Sequence, residues 1–352
     1  LSITIDLTGG DVVRADLVKY PVTQDSDDSY ELLKPDLARL HIAQSGLVGA
    51  QGPDASPLGR PSYTTSSSSF EMTGDTLSVP LTWTSADGLT ITKTFVFTRD
   101  AHVIDVNYDI INNTGAPATM SQFAQLKQTT LDQKGGSMFM PIYRGGTYST
   151  QDDIYEKINF GDFQDEKIAI TTKGGWVGMI EHYFVSAWVP PQEENNTLST
   201  RIVDNNFGII GFTGEPITVQ ANSEGQLSAR LYVGPKTQSK LAEIARGLDY
   251  TVDYGILWWL SQPLFALLTW IQGIVINWGL AIICVTIVVK GAMYWLTKKQ
   301  YESMAKMRNL QPKMAQLKER FGDDRQKMSQ AMMEMYKKEK VNPMGGCFPL
   351  LL

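Results

Sequence analysis

The chain has 352 residues, 43% of them hydrophobic, and a formal net charge of -6. Residues 1–253 carry 18 basic and 31 acidic side chains, whereas residues 297–341 carry 12 basic and 6 acidic ones. An acidic stretch of this length can form a sizeable core of its own, and its charge argues against nucleic acid as a partner. Both cysteines, Cys284 and Cys347, lie after it, which excludes a disulfide framework in residues 1–253.

Residues 1–234 show the pattern of β-strands. Short runs of alternating or β-branched residues are bounded by Gly, Pro, Asn and Asp, and no helical period separates one run from the next. This pattern predicts an antiparallel sandwich, with a long loop over residues 51–69, where Pro and Ser are frequent. The clearest predicted strands are 77–83, 89–97, 103–111, 176–188 and 227–233.

The hydrophobic period changes at Pro235, a residue that favours the first turn of a helix. Leu241, Ile244 and Leu248 then recur at helical spacing. We therefore predict a helix whose apolar stripe packs on the sandwich, so that residues 235–253 close the first domain.

No charged residue occurs between positions 254 and 289, a run of 36 residues. As one helix this run would reach about 54 Å, well beyond the roughly 30 Å hydrocarbon core of a bilayer. We therefore divide it at Gly273 into an interfacial amphipathic helix, 254–272, and a transmembrane helix, 274–296. Tryptophans near the ends of both segments suit the headgroup region, namely Trp258, Trp259, Trp270, Trp278 and Trp295.

The distribution of basic residues predicts an orientation. Short loops rich in Lys and Arg stay in the cytosol, which places residues 297–341 there and residues 1–253 on the other side of the membrane. An exported domain that precedes such a span needs a signal or anchor before Leu1, and residues 342–352 resemble the start of another transmembrane helix. We therefore expect the chain to be part of a larger multi-pass membrane protein.

Residues 297–341 are predicted to form a coiled-coil helical hairpin. Apolar residues recur at steps of three and four in 298–321 and again in 325–340. The intervening Gly-Asp-Asp suits the end of one helix and the N-cap of the next. Pro312 removes a helical hydrogen bond, so we expect a bend there.

Nothing in the sequence resembles a hydrolase triad, a phosphate-binding loop or a metal cluster, so we predict no cofactor and no metal. The three histidines, His41, His102 and His182, fall on sheet-like segments and are interpreted as structural or surface residues. Glu181 precedes His182, but neighbours on a strand point to opposite faces, so this pair makes a poor acid/base couple.

Lys290 follows the uncharged run directly. A Lys near the centre of a spanning helix costs roughly 2.5 to 3.5 kcal/mol, so its ammonium needs either an escape route or polar surroundings. One interpretation is that the side chain reaches the cytosolic surface near Lys298, about 12 Å further along the helix. The other is a polar cavity within the membrane. Helical spacing places four polar residues on one face with Met293 beside them, namely Thr286, Lys290, Tyr294 and Thr297.

Nine of the fourteen methionines lie between positions 293 and 344. Methionine suits an adaptable surface that receives varied partners, but it is also an ordinary residue of a helical core. We favour the core, with the exposed remainder available for contacts with a client or partner. The candidates for these cytosolic contacts are Met304, Met307, Met328, Met332 and Asp323.

Several motifs resemble the YidC/Oxa family of membrane protein insertases. In the membrane-proximal half they are 248–255 (LDYTVDYG), 261–265 (SQPLF), 277–279 (NWG), 303–308 (SMAKMR), 310–313 (LQPK) and 341–350 (VNPMGGCFPL). In the first domain they are 9–12 (GGDV), 148–150 (YST) and 173–177 (KGGWV). The resemblance covers essentially the whole chain.

The resemblance implies an α+β membrane protein of the bacterial inner membrane. Its first domain would be a large all-β periplasmic supersandwich, similar to galactose mutarotases in fold but not in catalysis. A hydrophilic groove within the membrane would hold one positive residue, which falls on Lys290, where Gram-negative members carry Arg. Lys keeps the charge but lacks the planar fork of a guanidinium.

By the same resemblance the protein would be no enzyme but an insertase and chaperone of membrane proteins, without a cofactor. Its partners would be nascent membrane proteins, the Sec translocon and its accessory subunits, the ribosome and the lipid bilayer, with no nucleic acid specificity. Two alternatives stay open from the residues. One is a membrane-tethered periplasmic domain that binds or processes sugars, and the other is a structural scaffold in which Lys290 tolerates any change.

Overall fold

The computed structural model describes residues 1–23, 26–130, 136–137, 140–141, 143–165, 167–204, 206–255, 257–321 and 325–338. The chain divides into two compact units, Leu1–Asp253 and Tyr254–Leu352, and each is described by itself.

The first unit is built almost entirely of strands. Over its described residues they are β1 Ser2–Asp6, β2 Asp11–Pro21, β3 Ser29–Leu33, β4 His41–Val48, β5 Thr76–Thr84, β6 Leu89–Thr98, β7 Val103–Asn112, β8 Ala118–Thr129, β9 Gly136–Ser137, β10 Met140–Pro141, β11 Gly145–Ser149, β12 Glu156–Ile158, β13 Ala169–Lys173, β14 Trp176–Ile180, β15 Phe184–Val189, β16 Asn195–Val203, β17 Phe207–Gly214, β18 Ile217–Val219 and β19 Ser223–Pro235. The helices of this unit are α1 Asp162–Asp165 and α2 Gln238–Ile244, with 3-10 turns at Leu37–Arg39, Pro53–Ala55 and Leu248–Thr251.

Apart from β9 and β10, which pair with each other, the described strands form two large sheets, and every described pairing is antiparallel. The first has the order β1-β2-β4-β8-β17-β16-β13, with β3 on β2 and β18 on β8, and the second has the order β12-β11-β14-β15-β19-β7-β6-β5. Alternate residues of β7 and β8 are buried, which directs one face of each strand into a shared core. The strands and the helices after them confirm the predicted fold class of an all-β sandwich followed by helices.

The boundaries differ from the predicted ones at two places. Residues 176–188 form two strands, β14 and β15, because a turn at residues 181–183 reverses the chain. Pro235 ends β19 and does not start a helix, since it still lies opposite Phe184 of β15 in the sheet. Helix α2 begins at Gln238 instead.

Helix α2 and the turn after it pack on β14, β15 and β19, on the face of the second sheet that is opposite the main core. Leu241 and Leu248 are fully buried in a small apolar cluster with Trp176 and Tyr232. The indole of Trp176 donates to the carbonyl of Arg246 at 3.0 Å. The apolar spacing therefore marks the side of this segment that packs on the sandwich, as predicted.

A buried lysine joins the two sheets. Lys93 extends from β6 of the second sheet, and its Nζ donates to the carbonyls of Gly10 at 2.7 Å, Ser45 at 2.9 Å and Gly9 at 3.2 Å, all in the first sheet or its β1–β2 turn. Three carbonyl acceptors match the three N–H groups of an ammonium. Burial lowers the pKa of Lys93 to about 7.

The same turn is supported by Arg60. Its guanidinium pairs with Asp11 and, at 2.8 Å, with Asp54, whose other oxygen accepts from the N–H of Leu47. A Cβ at Gly9 would lie 2.4 Å from this guanidinium, and the backbone there has φ +77°, so only glycine fits. The network fixes the β1–β2 turn against β4.

The second unit is helical over its described residues. Its helices are α3 Trp258–Val275, α4 Trp278–Ala292, α5 Tyr294–Phe321 and α6 Arg325–Lys338. Ile276 lies in the left-handed region with φ 53°, and the Asn277 side chain then accepts from the N–H of Leu280 at 3.0 Å, which starts α4. Helix α5 runs through Pro312 as one element.

The range 274–296, predicted as one transmembrane helix, contains the end of α3, all of α4 and the start of α5. Within the described part of the chain no single helix has the length and apolar character of a membrane span. Trp278–Ala292 and Tyr294–Leu317, which are bent by 56°, meet those criteria only as a pair.

Replacing Lys93 by Met is expected to lower the free energy of unfolding by about 3 kcal/mol, because three buried carbonyls lose their donor. Thermal unfolding of the full chain in detergent, followed by near-UV circular dichroism, measures the change. The matched control is Lys19→Met, since Lys19 forms an exposed surface pair with Asp100. Equal stability of the two variants would contradict the role given to Lys93.

Candidate functional site

The predicted intramembrane site begins on α4. Thr286 and Lys290 lie four residues apart, so they share one face of this helix. The Thr286 hydroxyl donates to the carbonyl of Ile282 at 2.8 Å, and Lys290 is an exposed residue in the last helical turn. A cation at this position is stabilised by the partial negative charge of the helix C-terminus.

The other predicted members follow a break in the helix. Met293 is the C-cap of α4, and Tyr294 and Thr297 lie on α5. The Thr297 hydroxyl donates to the carbonyl of Met293 at 2.9 Å, which stabilises the start of α5. The predicted polar face is therefore interrupted where α4 ends and α5 begins. The residues form two pairs, Thr286 with Lys290 and Tyr294 with Thr297, on either side of the 56° bend. Their functional role stays a prediction.

The predicted cytosolic contact residues lie on α5 and α6. Met304 is 53% exposed, whereas Met307, Met328 and Met332 are half-buried. The two helices contact each other, and the Tyr336 hydroxyl donates to the sulfur of Met314 at 3.6 Å. Asp323 lies outside the described residues. The half-buried methionines fit the interpretation as helical core, and the exposed Met304 fits the interpretation as a contact surface.

The first unit contains a polar cluster that the sequence did not predict. His41 Nε2 lies 2.9 Å from the Ser186 hydroxyl, and its Nδ1 lies 3.8 Å from Glu181. Glu181 also accepts from the Tyr30 hydroxyl and, at 3.2 Å, from the amide of Gln128. Glu181 therefore belongs with His41 and not with its chain neighbour His182. No spacing signal could have shown this, because His41 and Glu181 are far apart in the sequence.

Burial controls the charge of this cluster. It lowers the pKa of His41 to about 4, although Glu181 nearby acts in the opposite direction. The imidazole is therefore neutral at pH 7. Burial also raises the pKa of Tyr30, as does Glu181. Among the described residues no group of three or more His, Cys, Asp or Glu side chains is arranged to hold a metal ion.

Two family descriptions together match almost the whole chain. Residues 1–267 match the family described as YidC periplasmic domain. The chain belongs to the YidC family. Residues 270–352 match the family described as 60Kd inner membrane protein, so the second unit also falls within an inner membrane protein family.

Curated relatives extend the same finding. The chain is 56% identical to the membrane protein insertase YidC of Pseudoalteromonas atlantica, with 100% of this chain and 64% of that protein covered. It is 52% identical to the insertase YidC of Vibrio atlanticus, with 66% of that protein covered, and 51% identical to that of Psychromonas ingrahamii, with 62% covered. The chain thus spans just under two thirds of the length of these relatives.

Solved structures show more distant likenesses. A galactose mutarotase related enzyme from Lactobacillus acidophilus has a TM-score of 0.42 and 8% identity, covering 66% of this chain and 93% of its own. A galactose mutarotase-like protein from Lactobacillus casei has a TM-score of 0.39 and 11% identity, covering 66% and 96%.

The stability of the first unit should fall as the pH drops from 6.5 to 4. The unfolded chain binds a proton on His41 near pH 6.5, whereas the folded chain binds it only near pH 4, so acid favours unfolding by up to about 3 kcal/mol. In His41→Gln this part of the pH dependence should be absent. Urea unfolding of the full chain at several pH values measures it.

The matched control for this pH series is His182→Gln, because His182 is exposed. The control should retain the wild-type pH profile. A His41→Gln variant with that same profile would show that His41 does not carry the effect.

Proposed function

We propose that this chain is part of a membrane protein insertase and chaperone of the bacterial inner membrane. The observation that carries the proposal is the similarity over the whole chain to proteins named membrane protein insertase YidC, at 51% to 56% identity. The uncharged run 254–289, followed at once by a cation, also supports the proposal, because it suits an apolar membrane segment that carries one charge.

Lys290 is the residue assigned to client handling. A polar or acidic exported region of a client would enter a hydrated groove and be held for a short time near the ammonium, which shortens the hydrocarbon path that it must cross. The apolar segment of the client would then move into lipid, driven by apolar burial worth roughly 25 cal/mol per Å². A point charge attracts without fixed geometry, which suits many different clients.

The topology we propose follows from the charges. Residues 1–253 would be periplasmic, with an excess of acidic side chains, and residues 297–341 would be cytosolic, with 12 basic side chains. The exposed Met304 and its neighbours on α5 and α6 would receive the client or the ribosome, and the sandwich would meet the Sec translocon and its accessory subunits. The work is done by binding and by apolar transfer, so we assign no catalytic reaction and no cofactor.

Insertion of a small single-span client into liposomes tests the role of Lys290. The full-length protein is compared with Lys290→Arg, Lys290→Ala and Lys290→Glu, and protease-protected client is scored. For a client with an acidic exported region, Arg should retain insertion, while Ala and Glu should reduce it at least tenfold. The reason is that Ala removes the attraction and Glu reverses it.

Two controls separate charge from general damage. Lys298→Ala removes a lysine of α5 beyond the uncharged run and should insert the client as wild type does. A matched client whose exported acidic residues are replaced by Asn and Gln should depend less on Lys290. Equal insertion of both clients by all Lys290 variants would contradict the groove mechanism. It would show that the Lys290 side chain only extends to the cytosolic surface of the membrane.

A further inference from the structure

A groove in the first unit follows the outer edge of strand β1. Its volume is about 760 Å³, within the usual range for ligand pockets. Strand β1 forms one wall, residues 65–72 and β5 form the other, and residues of both sheets line the floor. We call it the β1 groove, and the proposed function gives it no role.

The outer edge of β1 has no partner strand among the described residues. Strand β1 is the terminal strand of the first sheet and pairs with β2 alone. Just after β1, the Leu7 carbonyl accepts from the N–H of Tyr63 at 2.8 Å, but the next residue, Thr64, already pairs with Thr82 of β5. The main-chain N–H and C=O groups on the outer side of Ser2–Asp6 therefore face the groove without a strand to pair with.

The facing edge strand, β5, is protected against further pairing. Pro80 has no N–H, and its carbonyl accepts from the Thr65 hydroxyl at 3.0 Å. The Thr64 N–H donates to the carbonyl of Thr82 at 2.9 Å, which occupies the same edge. Strand β1 contains neither Pro nor Lys, the residues that commonly block an edge strand. Of these two strands, β1 therefore offers the groove a free main-chain edge and β5 does not.

Apolar side chains line the inner face of the groove. Ile3 and Ile5 are half-buried and alternate with exposed residues along β1. Phe70 and Leu77, on the other wall, also pack against the core while they remain partly exposed. Leu81, which also lines the groove, is fully buried. Alternate side chains of a strand placed beside β1 would therefore enter apolar surroundings.

The groove offers little free charge. Lys19 and Asp100 line it, but their side chains are exposed and pair with each other at 2.7 Å. Glu71 is exposed as well, and burial lowers the pKa of His102, which is therefore neutral at pH 7. Residues 67–69 in the lining are exposed serines. These surroundings favour an uncharged ligand over a charged one.

We propose that the β1 groove binds an extended, uncharged segment of a client polypeptide, which pairs with β1 as an added strand. The free edge specifies a polypeptide, because an acyl chain has no donors or acceptors for main-chain groups. At about 3.4 Å per residue, β1 spans about 17 Å and pairs with about five client residues. The source of the segment rests on the proposed function.

This mode of binding suits a chaperone of many clients. Main-chain pairing needs no particular sequence, and the apolar inner face adds a preference for apolar residues at alternate positions. Segments with this pattern are the ones that pair wrongly with each other before they fold. The β1 groove would hold such a segment apart, at a site distinct from Lys290.

Fluorescence anisotropy with the full-length protein in nanodiscs tests the groove with three labelled peptides. The parent is Gly-Ser-Val-Thr-Val-Ser-Gly, and it should bind. The second has Asp in place of both valines and should bind at least tenfold more weakly, because its charges would be buried without partners. The third carries an N-methyl group on each of its five central residues. It should also bind at least tenfold more weakly, because its side chains remain but its N–H groups are gone.

Variants locate the binding on β1. The double variant Ile3→Lys with Ile5→Lys directs two charges into the groove and should weaken binding of the parent peptide at least tenfold. The matched control is Ser2→Lys with Thr4→Lys, which adds the same charges on the exposed face of the same strand and should bind as wild type does. Phe70→Ser tests the opposite wall without changing β1 and should weaken binding severalfold. Near-UV circular dichroism checks that each variant is folded.

Binding of the parent peptide that is lost both with the N-methyl peptide and in the Ile3, Ile5 variant supports the proposal. The proposal fails if the parent peptide does not bind at millimolar concentration, if the N-methyl peptide binds equally well, or if the double variant binds as wild type does. It also fails if native mass spectrometry shows a wild-type dimer that the double variant dissociates, because β1 would then pair with a second copy.

The insertion assay with the Lys290 variants is independent of these measurements. Insertion that depends on Lys290, without peptide binding, contradicts the β1 groove alone. Peptide binding without client insertion contradicts the insertase proposal alone and supports the pairing of β1 with a polypeptide.

Discussion

The buried ammonium of Lys93 is the interaction on which the architecture of the first unit depends. It leaves the second sheet and binds three carbonyls of the first, so it joins the two layers at a point where both could otherwise slide. A buried charge is tolerated only when its hydrogen bonds are made, and here each N–H has an acceptor. Strand β4 is held through Ser45, which also accepts from the Tyr108 hydroxyl at 3.0 Å.

The same strand connects this network to the polar cluster of His41 and Glu181. His41 is the first residue of β4, and Ser45 lies four residues later, so fixing Ser45 also fixes where β4 begins. His41 then reaches across the sandwich to Ser186 of β15, next to the turn that carries Glu181. The position of Glu181 beside His41 is thus set by the packing of the two sheets and not by the local sequence around either residue.

The second unit follows a different physical rule. The apolar run is divided between two helices, α3 and α4. The division falls at residues whose backbone or side chain ends or begins a helix. Asn277 starts α4 by capping it, while Met293 ends it one residue before α5 begins. Lys290 comes to lie in the last turn of α4, where the helix dipole favours a cation. The free-energy cost of placing this charge in an apolar helix is therefore smaller at the C-terminus of α4 than it would be in the middle of the helix.

The sequence by itself determined the features that repeat at short range. Alternation with a period of two indicated the strands, the uncharged run indicated the apolar helices, and the charge difference divided the chain near residue 253. These patterns depend on which side of one element faces apolar surroundings, and neighbouring residues report that directly. The uncharged run also singled out Lys290 as a candidate site residue on the same local basis.

Only the tertiary structure decided the contacts between distant residues. It placed Lys93 on the turn at Gly9 and His41 beside Glu181, and neither pair has a spacing that a sequence pattern could reveal. It also divided residues 176–188 into two strands and broke the predicted polar face at Met293. The physical reason is that strand pairing and sheet packing join positions far apart along the chain, and the partner of each polar group depends on register, which no single segment specifies.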